Sequence, residues 1–305
     1  MGGVLQLINS IRRSIGESIA SLRNLRALEV CIDHIDNEDT ETLANIKNLK
    51  HLSIHNHKYG FVASGIIHLL QRSKSTLQSL VLEMNSFSDL FNVLTKHAST
   101  NNVAIDGMHV FTALKSFTLA GLKLDETAVR SLNRSIDFMR LNELILKQLD
   151  AGKGIFFQQL TSLAIASQGT GINLRSLRLR MSDNGHRATA TEGEMLFDAK
   201  CGFISSFDTL TTLVIDDYGI YAANIATDPG LSDRMLQTIL KHKGLKTLRI
   251  CYWGIESGKK YPYLSATTVG AIIDGLHHLQ EFEFLPEKDQ MVRRKLLLLI
   301  KSCNY

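Results

Sequence analysis

A six-residue phrase with apolar residues at its first, fourth and sixth positions returns nine times along this chain. It reads Leu25-Leu28-Val30, Leu49-Leu52-Ile54, Leu77-Leu80-Leu82, Leu114-Phe117-Leu119 and Leu141-Leu144-Leu146. It continues as Leu174-Leu177-Leu179, Leu210-Leu213-Ile215, Leu245-Leu248-Ile250 and Leu279-Phe282-Phe284. Positions four and six are two apart, so in an extended strand they share one face while their neighbours point to the other. Most copies run on through a polar or glycine-containing turn into an apolar stretch of helical period. One strand and one helix cannot bury their own apolar surface, so such units must stack. The sequence therefore predicts an α/β solenoid of about nine irregular strand–helix repeats, with a parallel sheet lining a concave surface.

The repeat covers nearly all of the 305 residues, which favours one continuous array over two domains. The expected organisation is a capping helix over 1–24, the solenoid over 25–285 and a second capping helix over 286–305. The first cap rests on Val4, Ile8, Ile11, Ile15, Ile19 and Leu22, which fall on one helical face. The same stretch could equally be the helix of a preceding repeat. The last cap contains Met291, Val292 and the run Leu296–Ile300, whose five consecutive apolar residues also suit a docking surface.

Between the strands, helices are expected over Thr40–Ile46, Ala63–Arg72, Ser88–His97, Asp125–Ile136, Ser232–Lys241 and Ser265–Leu276. Successive phrases begin 24 to 37 residues apart, so some repeats carry insertions. These fall at Ser99–Thr112, Met181–Glu194 and Asp216–Gly230, and their Asn, Asp, Gly and Thr content is that of loops.

The formal charge of +4 is spread along the chain rather than gathered into a basic stripe, which argues against nucleic acid as a partner. No apolar run approaches the ~18 residues of a membrane span, and no secretory signal is recognisable. Cytoplasm or nucleus is the expected location. Cys31, Cys201, Cys251 and Cys303 lie far apart without metal or disulfide spacing, and read as free thiols of a reducing compartment. His51, His55 and His57 share a strand face, but no further metal ligand is identifiable. Gly152-Lys153-Gly154 reads as a turn. The segment Gly254–Lys259 is one residue short of a phosphate-binding loop, with Lys260 where Ser or Thr is required. No catalytic motif rides on the repeat, so neither enzymatic activity nor a cofactor or metal is expected.

What the strands do present is charge. Their positions between the apolar residues form a basic sector of Lys147, Arg178, Arg180 and Arg249, with Asp216, Tyr218, Tyr252 and Trp253 beside it. Arginine with aromatic residues is the composition of protein–protein hot spots. The same group could hold a phosphate-bearing anion, because Arg forks onto oxyanions. It could also be a solvated face on which Asp216 and Asp217 compensate the arginines. If the face binds a partner, Arg178→Ala, Arg180→Ala and Trp253→Ala are each expected to weaken binding without unfolding. Trp253 as a core residue would instead cost stability.

The phrase Leu-x-x-Leu-x-Leu, in long repeats containing helices, resembles the ribonuclease-inhibitor-like class of leucine-rich repeats. Such repeats run about 20–29 residues, with insertions making up the excess here. Segments Leu210–Tyr218 and Leu245–Trp253 look like those of filamentous-fungal leucine-rich-repeat proteins, many of them F-box proteins. The resemblance covers about Leu22 to Leu285. It implies a horseshoe whose concave strands and insertion loops recognise a protein partner without bond chemistry, as in the substrate-reading part of a ubiquitin-ligase receptor. One family of small-GTPase activators shares this fold, though no matching catalytic-type residue is identifiable. The F-box itself is not recognisable before Leu25 and would lie outside this chain. The Asn or Cys that usually closes such repeats is met only by Asn85, so the turns must close by other means.

Overall fold

The computed structural model describes residues 4–7, 18–19, 21–22, 24–31, 41–56, 64–84, 111–121, 126–149, 155–166, 173–181, 190–218, 231, 233–253, 264–286 and 296–299. The chain divides into two compact units, Met1–Leu141 and Asn142–Tyr305.

In the first unit, strands β1 (Val4–Leu7), β2 (Ala27–Cys31), β3 (His51–Asn56), β4 (Ser79–Met84) and β5 (Ser116–Ala120) pair in chain order, all parallel. Helices α1 (Ser64–Ser73) and α2 (Glu126–Ser135) belong to this unit, with short 3-10 turns at Thr42–Asn45 and Phe138–Arg140. In the second unit, β6 (Glu143–Leu149), β7 (Ser176–Met181), β8 (Thr212–Tyr218), β9 (Thr247–Trp253) and β10 (Glu281–Pro286) pair in the same parallel order. Its helices are α3 (Ile155–Ala166), α4 (Ala190–Ser205), α5 (Asp233–Leu240) and α6 (Ala266–Gly275). Each unit is thus α/β, built of repeated parallel strands and helices.

The repeating phrase is the core. All three apolar positions of all nine copies are buried, none more than 6% exposed. The strand register explains how: position four of one copy pairs with position four of the next, as Leu28↔Leu52↔Leu80↔Phe117 and Leu144↔Leu177↔Leu213↔Leu248↔Phe282. Apolar side chains therefore stack in continuous rows, each strand completing the burial its neighbour cannot achieve alone. At the start of each strand the backbone makes the same bracket. The carbonyl after the leading leucine accepts two N–H groups from the next copy, as at Arg26, Lys50, Gln78, Asn142, Arg175, Thr211 and Lys246. Threonines one residue before a leading leucine add a side-chain link to the previous copy. Thr76 Oγ1 donates to the Leu49 carbonyl at 2.8 Å, and Thr209 Oγ1 to that of Leu174 at 2.7 Å. These contacts tie copies together where asparagines are absent.

Two terminal expectations are corrected. Over Val4–Leu7, assigned above to a capping helix, the chain is a strand parallel to β2. Leu5↔Leu28 and Leu7↔Val30 show why: Leu5 and Leu7 occupy positions four and six of a further copy whose leading position is Gly2. The helical period there coexists with a period of two, and sheet pairing selects the second. Ser18 and Ile19 are helical, with Ile19 buried. Within 286–305, Leu296–Leu299 is likewise a strand, β11, antiparallel to β10. An unbroken leucine run satisfies either period, so the paired edge of β10 decides.

The interior helices fall close to where periodicity puts them, with Thr40–Ile46 shortened to a 3-10 turn. Ser88–His97 and the insertion up to residue 110 lie outside the described residues. Helix α6 begins at Ser265, whose Oγ accepts the Thr268 N–H at 3.0 Å. Ser265→Ala should cost about 1 kcal/mol, read as a lower denaturation midpoint, whereas Ser265→Asp should retain most of the cap.

Two residues after the end of α5, His242 is 1% exposed. No described residue hydrogen-bonds either ring nitrogen in good geometry. Burial pushes its imidazole below the ordinary value of 6.5, and the Phe207 backbone and Asp208 charge offset only part of this. Well above pH 6.5 the ring is neutral folded or unfolded and contributes no pH dependence. Below it, the unfolded chain takes a proton that the folded chain refuses, so stability falls until the lowered folded value is passed. The slope is at most one proton, about 1.4 kcal/mol per pH unit. His242→Leu should flatten this part of the stability–pH profile. An unchanged slope would show that His242 does not cause it.

Candidate functional site

Alternation along the strands leaves every second side chain on the face opposite the buried rows, and the register arranges these into a grid. In the second unit the first row is Glu143, Ser176, Thr212, Thr247 and Glu281. The second is Ile145, Arg178, Val214, Arg249 and Glu283. The third begins Lys147, Arg180, Asp216 and Cys251. Lys147, Arg178, Arg180, Asp216 and Arg249 thus come together on one sheet face, as the sequence predicts. Beyond them, β8 and β9 place Tyr218 opposite Trp253 in register and Asp217 opposite Tyr252. The side chains of Tyr218, Tyr252 and Trp253 lie outside the described residues.

Asp216 has only 3% of its side chain exposed, against 39% for Arg178. Arg178 reaches diagonally across one strand and donates from Nε and Nη2 to Asp216 Oδ2, at 3.2 and 2.9 Å. Asp216 is therefore a buried counter-ion rather than a residue displayed to a partner, which corrects its expected place in the contact surface. On the next strands Arg249 Nε lies 3.0 Å from Glu283 Oε2 and 3.4 Å from Cys251 Sγ. Burial, reinforced by the neighbouring Asp216 carboxylate, pushes the Cys251 thiol up to about 12. It stays protonated at neutral pH and is a poor nucleophile. Cys201 is also buried, with its thiol raised chiefly by burial. Cys31, Cys201 and Cys251 are thiols outside any disulfide, and Cys303 lies outside the described residues.

In the first unit the corresponding strand positions carry a different group. His55 Nδ1 lies 2.8 Å from Glu83 Oε2, and Nε2 lies 2.8 Å from Ser53 Oγ and 3.5 Å from Glu29 Oε1. The two carboxylates sit at opposite ring nitrogens, so one ion could not take His55 and both glutamates. His51 is exposed on the preceding row, and His57 lies outside the described residues. Among the described residues no group of three His, Cys, Asp or Glu side chains is placed to hold a metal. Gly152–Gly154 and Gly254–Lys260 also lie outside them. Among the described residues no helix is long and apolar enough to cross a membrane.

Sequence reasoning missed the Glu29–His55–Glu83 association, although its signal was available. Aligning the phrases puts His55 and Glu83 at one register position, one residue beyond position six. A scan of the sequence against protein-family models gives no match, and neither does a search of the curated proteins.

Proposed function

We propose that this chain is a non-enzymatic scaffold for protein–protein interaction, with the open sheet face of the second unit as its recognition surface. One observation carries the reading. Three registered rows, mostly of polar and charged residues with Ile145 and Val214 among them, run across four or five parallel strands, and Arg178 and Arg249 are held there with about two-fifths of each side chain exposed. Arginines held on a rigid sheet face are suited to an interface, because little side-chain freedom remains to be lost on binding.

The repeat phrase supports a narrower version, in which the chain is a leucine-rich-repeat horseshoe serving as the substrate-recognition region of an F-box-type ubiquitin-ligase receptor, in the cytoplasm or nucleus. A photo-crosslinking residue at Thr212, within the grid, should capture a protein that the same residue at Ser162, exposed on α3, does not. Equal capture from both positions, or none from Thr212, would overturn the scaffold reading. Absence of any ligase adaptor among proteins co-purifying with the full-length gene product would remove only the narrower version.

A further inference from the structure

We infer that the second and third rows of this face bind an oxyanion carried by an acidic peptide, gripped by the guanidinium edges of Arg178 and Arg249. The inference rests on reading that face as an interaction surface, and it names the chemistry of the partner. Arg178 and Arg249 occupy one register row with only Val214 between them. Their backbones are therefore two strand spacings apart, about 9.6 Å. Both side chains lean toward the Asp216–Cys251 pair in the next row, Arg178 onto Asp216 and Arg249 onto Cys251. Among the described residues, their internal bonds leave donors over. Arg249 is anchored through Nε alone, and among the described residues neither of its Nη groups has a partner. Arg178 spends Nε and Nη2 on a single carboxylate oxygen, which among the described residues leaves Nη1 over.

A guanidinium pinned through Nε presents its remaining N–H groups in a fixed fork, the geometry that matches a carboxylate or phosphate. Asp216 is too buried to turn outward and fill this place itself. The local charge has the required sign. Rows two and three hold Lys147, Arg178, Arg180 and Arg249 against Asp216 and Glu283, four cations less two anions, or +2. The other acidic groups of the grid, Glu143 and Glu281, stand in the first row at its two ends. Val214 leaves an uncharged floor between the arginines, and the nearest carboxylates, Asp216 and Glu283, each lie against one of the two arginines.

The test uses the whole chain and four probes: labelled peptides of alternating Glu and Ala, the same peptide with Lys for Glu, a neutral peptide carrying one phosphothreonine, and inorganic phosphate. Fluorescence anisotropy should show binding of the Glu peptide that weakens with salt, and competition by phosphate or the phosphothreonine peptide. The Lys peptide should not bind. Arg249→Gln should weaken the Glu peptide on the order of tenfold, Arg249→Lys less, since the charge remains while the fork is lost. Because Arg178→Ala alone strands Asp216, the pair is removed together as Arg178→Met with Asp216→Leu, with a similar loss expected at an unchanged melting temperature. Binding of the Glu peptide that survives Arg249→Gln, or no binding at all, overturns the inference. Phosphate binding without either acidic peptide would make this a small-anion site and overturn the peptide assignment. Binding of the Lys peptide instead, lost in the same variants, would overturn the oxyanion while leaving the scaffold reading in place.

Discussion

Phe203→Ala is expected to lower the stability of the second unit by about 3–5 kcal/mol, the usual cost of truncating a fully buried aromatic ring. Phe203 is 1% exposed on α4. Its ring centroid lies 5.4 Å from that of Phe157 on α3 and 5.0 Å from that of Phe207, with the second pair edge to face. Phe156 and Phe157 are in edge contact in turn, at 5.5 Å. Removing Phe203 takes the middle ring from this chain, forfeiting both buried area and the geometry-dependent part of two aromatic pairs. The adjacent residue supplies the control. A methyl group added at Gly202 would meet nothing within 4 Å, so Gly202→Ala should be neutral or stabilise by about 0.5–1 kcal/mol through helix propensity. Urea denaturation of the two variants decides the matter. A loss below about 1 kcal/mol for Phe203→Ala would mean that α3 and α4 do not share the packed core assigned to them.

That cluster also shows where the sequence was hard to read. Helix α3, Ile-Phe-Phe-Gln-Gln-Leu-Thr-Ser-Leu-Ala-Ile-Ala, is apolar around much of its circumference, so periodicity does not announce it as it does α2 or α5. Helix α4 starts inside the stretch expected to be an insertion, and two interior glycines obscure it. By contrast the strands were legible almost residue by residue, because position four and position six must be buried in every copy and only apolar residues are found there. The terminal strands β1 and β11 were missed for the opposite reason. Each carries two compatible periods, and the choice is made by a strand edge that lies outside the segment itself.

The grid of the candidate site was legible to the same extent as the strands. Strand alternation alone collects Lys147, Arg178, Arg180, Asp216 and Arg249 onto one face. Which of them stay available could not be read there, because long side chains leave their own register row. Arg178 lies opposite Val214 by register, yet its partner is Asp216, two residues further along the same strand. The sequence leaves Asp216 open between a displayed group and a compensating charge, and its burial against Arg178 favours the second.

This changes what Arg178→Ala should do. The sequence-based expectation was weaker binding in a chain as stable as before, but the substitution strands a carboxylate that is almost wholly buried. Breaking a buried ion pair from one side typically costs about 3–5 kcal/mol. Arg178 is partly exposed, and water can reach the carboxylate once the arginine is gone, so about 2–3 kcal/mol is expected here. Arg178→Met combined with Asp216→Leu removes both charges, keeps the volume and leaves no buried ion, and should return the stability to within about 1 kcal/mol of the parent chain. Asp216→Leu alone should fall between, since the half-exposed guanidinium it releases can turn to water. Melting temperatures of the four chains form a double-mutant cycle whose coupling term isolates the pair. Additive losses, with the double variant weaker than either single one, would mean that Arg178 and Asp216 act on stability independently and that the diagonal contact is not what holds the arginine in place.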